Sequence, residues 1–403
     1  MSSSDTSKNR KSFYIETHGC QMNVHDSEKI SGLLIHRGMT PAATAYDADL
    51  YILNTCSVRE KAARKVYSRL GEIRARKSRD PNFMVGVVGC VAQQEGEDMV
   101  KRSPQVDWVV GTHQYHMIPD LLDEWEAGKT GKRPPRVATE QLDGKELVEI
   151  DRIKRDNDFR AHITIMEGCN KRCAFCVVPF TRGKERNRSS RAILEEIQEA
   201  VACGYVEIQL LGQTVNHYRD PRRKGYGFSD LLSDITGIDG IRRIRFTSPH
   251  PRDFPDDLIA VIAESETICN QVHLPVQSGS SRILRKMRRQ HDREWYLELV
   301  EKFRRCGRPI ALSTDMIVGF PGEQEEDFEA TLSLVRQVRF EQMFSFKYSP
   351  RPYTEALAWD DDVTEMEKTR RLMILQRLQR DIQLEIHRDR YQDRVFEVLV
   401  EGV

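Results

Sequence analysis

No run of the 403 residues approaches the ~20 consecutive apolar residues that a helix needs to cross a bilayer. The opening stretch MSSSDTSKNRKS lacks the apolar core of a secretory leader. Net charge is missing too: 62 Lys and Arg balance 62 Asp and Glu. Total charge therefore names no partner, and a polyanion-binding surface has to come from where the charges sit. Apolar residues reach only 39% and aromatics 8%, against 31% charged, which fits a buried core under a wide solvated surface. Without membrane span or leader the chain is predicted to be cytoplasmic, where its nine Cys stay reduced rather than paired. Clustered thiols then point to metal. One further lack is local. The stretch EGCNKRCAFCVVPFTRGKE places Cys169, Cys173 and Cys176 in a C-x3-C-x2-C spacing, and no fourth Cys follows nearby.

At about 150 residues per domain the length suggests two or three domains. Residues 12–125 alternate short β-rich runs, SFYIET, LYILNT, FMVGVVG and VDWVVGT, with helical patterns. That alternation predicts βαβ units and a parallel sheet. Residues 126–158 are rich in Gly, Pro and charge and read as a linker. From residue 159 to 350 six further β runs alternate with helices, which predicts a barrel or partial barrel with its function at the C-terminal strand ends. Residues 351–392 are read as a C-terminal helical segment and 393–403 as a terminal strand. A lone strand of this kind makes no domain. The fold class is α/β throughout.

Soft thiolates select zinc or iron–sulfur clusters. Structural zinc takes four closed ligands, whereas a 4Fe–4S cube held by three Cys leaves one iron free for another molecule. Cys20, Cys56 and Cys90 raise the same issue by placement rather than spacing. Each follows a predicted strand of the first region, about one βα unit apart, and parallel strands end along one ligand-binding edge. They form a second candidate set of three. The bland alternatives are a zinc with a distant fourth ligand and small buried thiols.

C-x3-C-x2-C after the first strand of a (β/α)6 barrel resembles the radical S-adenosylmethionine superfamily. THGCQMNVHDSE, LNTCSVREKA, VVGCVAQQ, LLGQTVNHY, FTSPHP, HLPVQSGS and DMIVGFPGE occur in order around it. Together these strings resemble the radical S-adenosylmethionine methylthiotransferase family over roughly residues 12–400, and most closely its branch acting on dimethylallyladenosine in tRNA. The resemblance implies two 4Fe–4S clusters and S-adenosyl-L-methionine. Cys169, Cys173 and Cys176 would hold the radical-generating cluster. Cys20, Cys56 and Cys90 would hold an auxiliary cluster that carries sulfur. The implied reaction replaces hydrogen with a methylthio group on the adenine C-2 carbon beside the anticodon. The implied partners are the anticodon stem–loop of tRNA, an electron donor such as a flavodoxin or ferredoxin, and a sulfur source, with no membrane. The family continues into a small β domain, TRAM, of which residues 393–403 would be the first strand. Its Ser-Arg-Pro after the cysteine loop reads RNRSS here.

Strand ends nominate six cofactor-pocket residues: Gly212, Gln213 and Asn216 after the second barrel strand, Gln277 and Ser278 after the fourth, and Gly319 after the fifth. No catalytic side chain is nominated beyond the cluster ligands. Cys203, Cys269 and Cys306 lack ligand spacing, and His18 and His250 read as hydrogen-bonded scaffold. Basic residues cluster at Arg59–Arg79, Thr181–Arg191 and Arg282–Arg293, and the first two are expected to grip RNA. Two other substrates stay open, threonylcarbamoyladenosine in tRNA and a ribosomal protein. So does a noncatalytic, metal-stabilised RNA-binding protein.

Overall fold

The structure, a computed structural model, describes residues 11–57, 60–127, 136–142, 144, 147 and 153–400, with side chains throughout except at 60–64. The opening stretch and much of the expected linker lie outside the described residues. Two compact units emerge, Met1–Asn157 with Glu167–Cys169 and Val177–Arg186, and Asp158–Met166 with Asn170–Cys176 and Asn187–Val403.

The first unit is built on six strands: β1 (Ser12–His18), β2 (Thr40–Pro41), β3 (Leu50–Thr55), β4 (Met84–Gly89), β5 (Trp108–Val110) and β6 (Arg136–Ala138). They lie in the order β2-β1-β3-β4-β5-β6, every pair parallel. Helices α1 (Gln21–His36), α2 (Glu60–Arg79), α3 (Cys90–Glu95), α4 (Glu97–Arg102) and α5 (Ile118–Ala127) connect them. The central strands β3 and β4 are buried at every position, as parallel strands covered on both faces must be. One face packs Ile52, Met84 and Val88 on Ile30 and Leu34 of α1 and Leu122 of α5. The other packs Leu53, Val85 and Val87 on Val66 and Leu70 of α2. Strand β6 falls inside the stretch read as linker. Three residues are too few to show a period, and they form a strand here because β5 offers a free edge.

The second unit begins with β7 (Arg160–Thr164). Two-residue strands β8 (Met166–Glu167) and β9 (Arg186–Asn187) and a short helix α6 (Val178–Thr181) follow along the chain. The remaining strands are β10 (Glu207–Leu211), β11 (Arg243–Phe246), β12 (Gln271–His273), β13 (Ala311–Val318) and β14 (Gln342–Lys347). Strands β7, β10 and β11 form one parallel ladder, and β12, β13 and β14 another. A parallel bridge from Ile244 to Ile268 joins them. The result is the six-stranded partial barrel that the alternation predicts. Helices α7 (Ser190–Ala202), α8 (Phe228–Thr236), α9 (Asp256–Glu264), α10 (Ser281–Lys286), α11 (Arg293–Arg305) and α12 (Glu325–Val338) cover its outside, and α13 (Glu365–Arg390) packs beside β14. Local sequence starts several of them. Ser189, Ser280, Asp292 and Thr364 each accept a backbone N–H of the first turn, satisfying donors with no partner inside the helix.

Residues 394–400, expected to open a terminal strand, carry none. The alternation in RVFEVLV is a strand pattern, but a strand needs a ladder partner, and these residues find none among the described ones. No described helix is long and apolar enough to cross a membrane.

Candidate functional site

In the first unit, register brings three distant thiols to one sheet edge. His18, Thr55 and Gly89 stand side by side as partners across β1, β3 and β4. Cys56 and Cys90 are the next residues of their chains, and Cys20 is two beyond His18. The Cys56 N–H donates to His18 O at 2.9 Å, which fixes the edge. Cys20 caps α1, and Cys90 opens α3. Gly89 can only be glycine: its φ is +91°, and a Cβ would lie 2.4 Å from Asn54 Oδ1. Behind the thiols two buried amides clasp each other. Asn23 Nδ2 donates to Asn54 Oδ1 at 3.1 Å, and Asn54 Nδ2 returns to Asn23 O at 2.8 Å. Asn23 Oδ1 also accepts the Cys20 N–H at 3.3 Å.

The electrostatics favour thiolate at Cys20. Cys56 and Cys90 are buried, while Cys20 keeps an exposed face. Its sulfur nevertheless lies within reach of the Cys56 thiol and the amides of Met22 and Asn23. A hydrogen bond from Cys56 and the charge of Arg182, working against burial, draw the Cys20 thiol down to about 6. Burial pushes Cys90 up, and Arg182 opposes it. Arg182 itself is nearly sealed, its side chain 3% exposed, and its Nη2 donates to Asp26 Oδ2 at 2.5 Å, on a side chain 0% exposed. Tyr115 Oη adds a hydrogen bond to the same carboxylate at 3.1 Å. His113 Nε2 lies 2.9 Å from Arg182 O. This buried Arg–Asp–Tyr group was invisible as such in the sequence, where Arg182 looked like one of many surface cations. His18 bonds Glu16 at 2.8 Å, as scaffold should.

Cys169 anchors on the first unit through its N–H to Gly183 O at 3.1 Å. In the second unit, Cys173 and Cys176 share a tight turn, Cys176 N–H to Cys173 O at 3.1 Å. Between them Ala174 is fixed twice. Its N–H donates to Met287 O at 3.0 Å, and its carbonyl accepts Ala356 N–H at 2.9 Å. Arg289 Nη1 reaches Cys173 Sγ at 3.5 Å, and its Nη2 donates to Pro275 O at 2.7 Å. The residues on either side of Arg289, Arg288 and Gln290, both hold left-handed φ values of 58° and 62°, a strained path that aims the guanidinium inward.

Both donor sets suit an iron–sulfur cube. They offer three soft thiols each, and a cube held by three Cys bonds each to a different iron. Among the described residues no three His, Cys, Asp or Glu side chains are grouped closely enough to hold a metal ion.

The six pocket residues divide by what already occupies them. Asn216 Nδ2 donates to the carbonyls of His250 and Asp253 at 2.9 and 2.7 Å, and its Oδ1 accepts the His250 N–H at 2.8 Å. This amide is a strap across a loop. Ser278 Oγ accepts the Ser280 N–H at 3.2 Å. A Cβ on Gly212 would lie 2.5 Å from the Met166 side chain, and one on Gly319 2.3 Å from that of Lys368, so packing alone accounts for both glycines. Gln213 is half-buried in the loop after β10. Gln277 is buried with φ +78° and bridged to Met316 on β13. Cys203 is exposed and Cys269 and Cys306 half-buried, none in a thiol group.

The basic stretches are less available than their sequences suggest. Arg182 and Arg186 are both buried, the latter beside Glu167 at 3.5 Å, so neither can grip a phosphate. Arg188 pairs with Glu196 at 2.5 Å. On α2, Arg69 is held by Glu16 at 2.7 Å and Lys77 by Asp107 at 2.7 Å. Arg59 and the side chains of Lys61 and Arg64 lie outside the described residues, and Lys65 is exposed. A charge run in sequence does not tell a solvated face from a set of buried pairs.

Two family models match: the Radical SAM superfamily over residues 163–335 and the Uncharacterized protein family UPF0004 over residues 12–111. Among solved structures, the radical S-adenosylmethionine methyltransferase TsrM from Kitasatospora setae is similar with a TM-score of 0.63 at 14% identity, over 87% of this chain and 74% of that one. The cobalamin-dependent S-adenosylmethionine radical enzyme OxsB is similar with a TM-score of 0.57 at 12% identity, over 92% and 56%. These likenesses concern the fold. Sequence relatives reach further. Proteins named tRNA-2-methylthio-N(6)-dimethylallyladenosine synthase share 47% identity in Solibacter usitatus, over 97% of this chain and 86% of the relative. The figures are 46% in Carboxydothermus hydrogenoformans and 44% in Aquifex aeolicus, each over 97% of this chain and 88% of the relative. Full-length likeness at that level, carried on a radical S-adenosylmethionine fold, means that this chain belongs to the tRNA-2-methylthio-N(6)-dimethylallyladenosine synthase family.

Proposed function

We propose that this chain catalyses methylthiolation of the adenine C-2 carbon of N(6)-dimethylallyladenosine at position 37 of tRNA, next to the anticodon. The observation that carries the proposal is the near full-length likeness to the synthases combined with two separate sets of three thiols. Cys169, Cys173 and Cys176 hold a 4Fe–4S cluster that binds S-adenosyl-L-methionine, and Cys20, Cys56 and Cys90 hold a second. Residues 12–125 then serve as the sulfur-delivering domain and 159–350 as the radical domain. Gly212, Gln213, Asn216, Gln277, Ser278 and Gly319 border the cofactor. When bound, the cluster and S-adenosyl-L-methionine supply a 5′-deoxyadenosyl radical able to take hydrogen from the adenine C-2 carbon. The chain's residues hold and orient. Arg182 and the first turn of α1 keep the Cys20 sulfur in its ligand form. The Asn23–Asn54 clasp fixes the edge from which Cys20 and Cys56 project. The Ala174 tethers set the turn carrying Cys173 and Cys176, and Arg289 places a permanent charge on Cys173. A flavodoxin or ferredoxin supplies electrons, a separate donor supplies sulfur, the anticodon stem–loop is the macromolecular partner, and the reaction proceeds in the cytoplasm.

The test is nucleoside analysis of tRNA from a strain lacking the gene. Loss of the methylthio nucleoside with accumulation of N(6)-dimethylallyladenosine is expected. Unchanged methylthio-dimethylallyladenosine, or loss of a different methylthio product, overturns the reading. Anaerobically reconstituted protein should also carry about eight irons per chain, from two four-iron clusters, and stoichiometric zinc in their place would remove the radical route.

A further inference from the structure

Strand alternation sorts the barrel residues onto two faces. Leu312, Met316 and Val318 of β13 join the core that contains Phe328, Leu332 and Val335 of α12. Asp315 and Ile317 therefore face the lumen. Register sets Asp315 beside Phe344 and Ile317 beside Phe346 on β14, where both rings are 44% exposed. From β12, His273 reaches the same place: its ring centroid lies 6.2 Å from that of Phe344, and its Nε2 3.4 Å from Asp315 Oδ2. A barrel lumen is ordinarily filled with packed branched side chains, so two open phenyl rings around a carboxylate call for a ligand. A separate cavity of about 350 Å³ opens at the free edge of β14, between Phe344 and Phe346 and Gln376, Gln379 and Arg380 of α13, and it is not lined by Asp315, Ile317 or His273. Ile317 also packs on the cluster that includes Ala174 and Phe175 of the cysteine turn, which puts this patch next to the radical chemistry.

We propose that Asp315, Ile317, Phe344 and Phe346 form the seat of the target base and select its N6 substituent. Phe344 offers a stacking face for the purine. An N6-alkylated adenine keeps one N6–H, and Asp315 accepts it, with His273 holding the carboxylate. The Ile317–Phe346 pair, one step nearer the strand ends, covers the dimethylallyl group. The rival substrate, threonylcarbamoyladenosine, carries a carboxylate in the same position. Here that anion would lose water against Ile317 and Phe346 and meet the like charge of Asp315, so the seat rejects it by repulsion as well as by shape.

The inference rests on the proposed function, and the test separates the two. Anaerobically reconstituted full chain is titrated with three anticodon stem–loops that differ only at position 37: adenosine, dimethylallyladenosine and threonylcarbamoyladenosine. The unsubstituted chain should prefer the dimethylallyl RNA over the adenosine RNA by roughly tenfold or more, the range in which a hydrophobic pocket senses a few carbons. Phe346→Ala should bring that ratio close to one. Asp315→Asn should strengthen threonylcarbamoyl binding by about tenfold, since it removes a like charge at contact range, and misfolding cannot produce a gain. If the unsubstituted chain fails to prefer the dimethylallyl RNA, the functional reading falls and the seat with it. If it does prefer that RNA and either variant keeps the original ratios, the seat is overturned and the functional reading stands.

Discussion

The molecule assembles three thiols in two ways. In the first unit Cys20, Cys56 and Cys90 come from three separate βα units and meet only because parallel register aligns His18, Thr55 and Gly89. In the second set, Cys169, Cys173 and Cys176 sit within eight residues and need only a turn. A site built by a sheet inherits the sheet's stability and its electrostatic support, here the Arg182–Asp26 pair, and two of its thiols, Cys56 and Cys90, are buried while Cys20 is exposed. A site built by a loop inherits exposure: all three of its thiols are half-exposed. Under the proposed function, the sheet-built set would hold a resident group in place, and the loop-built set would admit S-adenosyl-L-methionine to its cluster.

The sharpest way to break this comparison is to remove one thiol from each set. Cys173→Ala should abolish cleavage of S-adenosyl-L-methionine to 5′-deoxyadenosine. Cys56→Ala should leave part of that cleavage and stop methylthio insertion. Each variant should retain about half of the iron. Iron content, 5′-deoxyadenosine and modified nucleoside are measured together. Equal loss of cleavage in two folded variants would mean that the sets do not divide the labour.

The supporting charges should differ in the same direction. Arg182→Ala leaves Asp26 buried without its cation, a change that typically costs 3–5 kcal/mol. Among the described residues Arg289 pairs with no carboxylate and reaches Cys173 Sγ and Pro275 O instead, so Arg289→Ala loses hydrogen bonds worth about 1–2 kcal/mol. Denaturant unfolding of both variants measures the gap. Equal costs would mean that the second unit hides a counter-charge for Arg289.

Much of this was legible in the sequence, for identifiable reasons. The six barrel strands were readable because each is a β-rich run next to an amphipathic helix. The loop thiols were readable from spacing alone, and the sheet thiols from recurrence after equivalent runs. Strand β6 was not readable, since Arg136–Ala138 is too short for any period. Burial of Arg182 and Arg186 was not readable either, because a cation's partner lies far along the chain: Asp26 is 156 residues from Arg182. The same limit applies to the contact of Gly319 with the Lys368 side chain, which lies far from it in sequence.

Buried carboxylates extend the comparison to pH. Asp26 has Arg182 at 2.5 Å, whereas Glu323 of the second unit has Arg371 Nη1 only at 3.5 Å. Burial therefore prevails at Glu323 and holds its carboxyl up at about 7, from an ordinary 4.5. A carboxyl with a raised pKa binds its proton more tightly when folded. Its contribution to stability is whole below about 4.5 and is lost as pH rises through about 7. Glu323→Gln keeps an acceptor for the Phe320 N–H without the charge. The variant should match the parent at pH 5 and exceed it by roughly 1–3 kcal/mol at pH 8, taking 1.36 kcal/mol per pKa unit as an upper guide. Thermal unfolding at the two pH values decides it, and a variant less stable at pH 8 would show that Arg371 governs this carboxyl after all.

The smallest effect expected concerns RNA, where both units carry basic runs and most of their charge is taken up internally. In the second unit Arg282 is paired with Asp327, Arg288 reaches Glu355 at 2.7 Å, and Arg293 donates to the carbonyls of Gly279 and Ala330. In the first, Arg69 and Lys77 are held by Glu16 and Asp107. What the described side chains leave at the start of α2 is exposed Lys65, a few residues beyond Cys56 along the chain. Each phosphate contact adds about 0.9 to the slope of log affinity against log salt on a duplex and about 0.7 on a single strand. Arg64→Ala/Lys65→Ala should therefore lower the slope for an anticodon stem–loop by about 1–2 and weaken binding a few-fold at low salt. Arg69→Ala should leave the slope unchanged, because its guanidinium already serves Glu16. The two variants are titrated side by side across a salt series. An unchanged slope in the double variant would move the phosphate grip off α2, and a lowered slope for Arg69→Ala would mean that RNA draws this arginine away from Glu16, so that the charges held within the first unit are a reserve rather than a fixed scaffold.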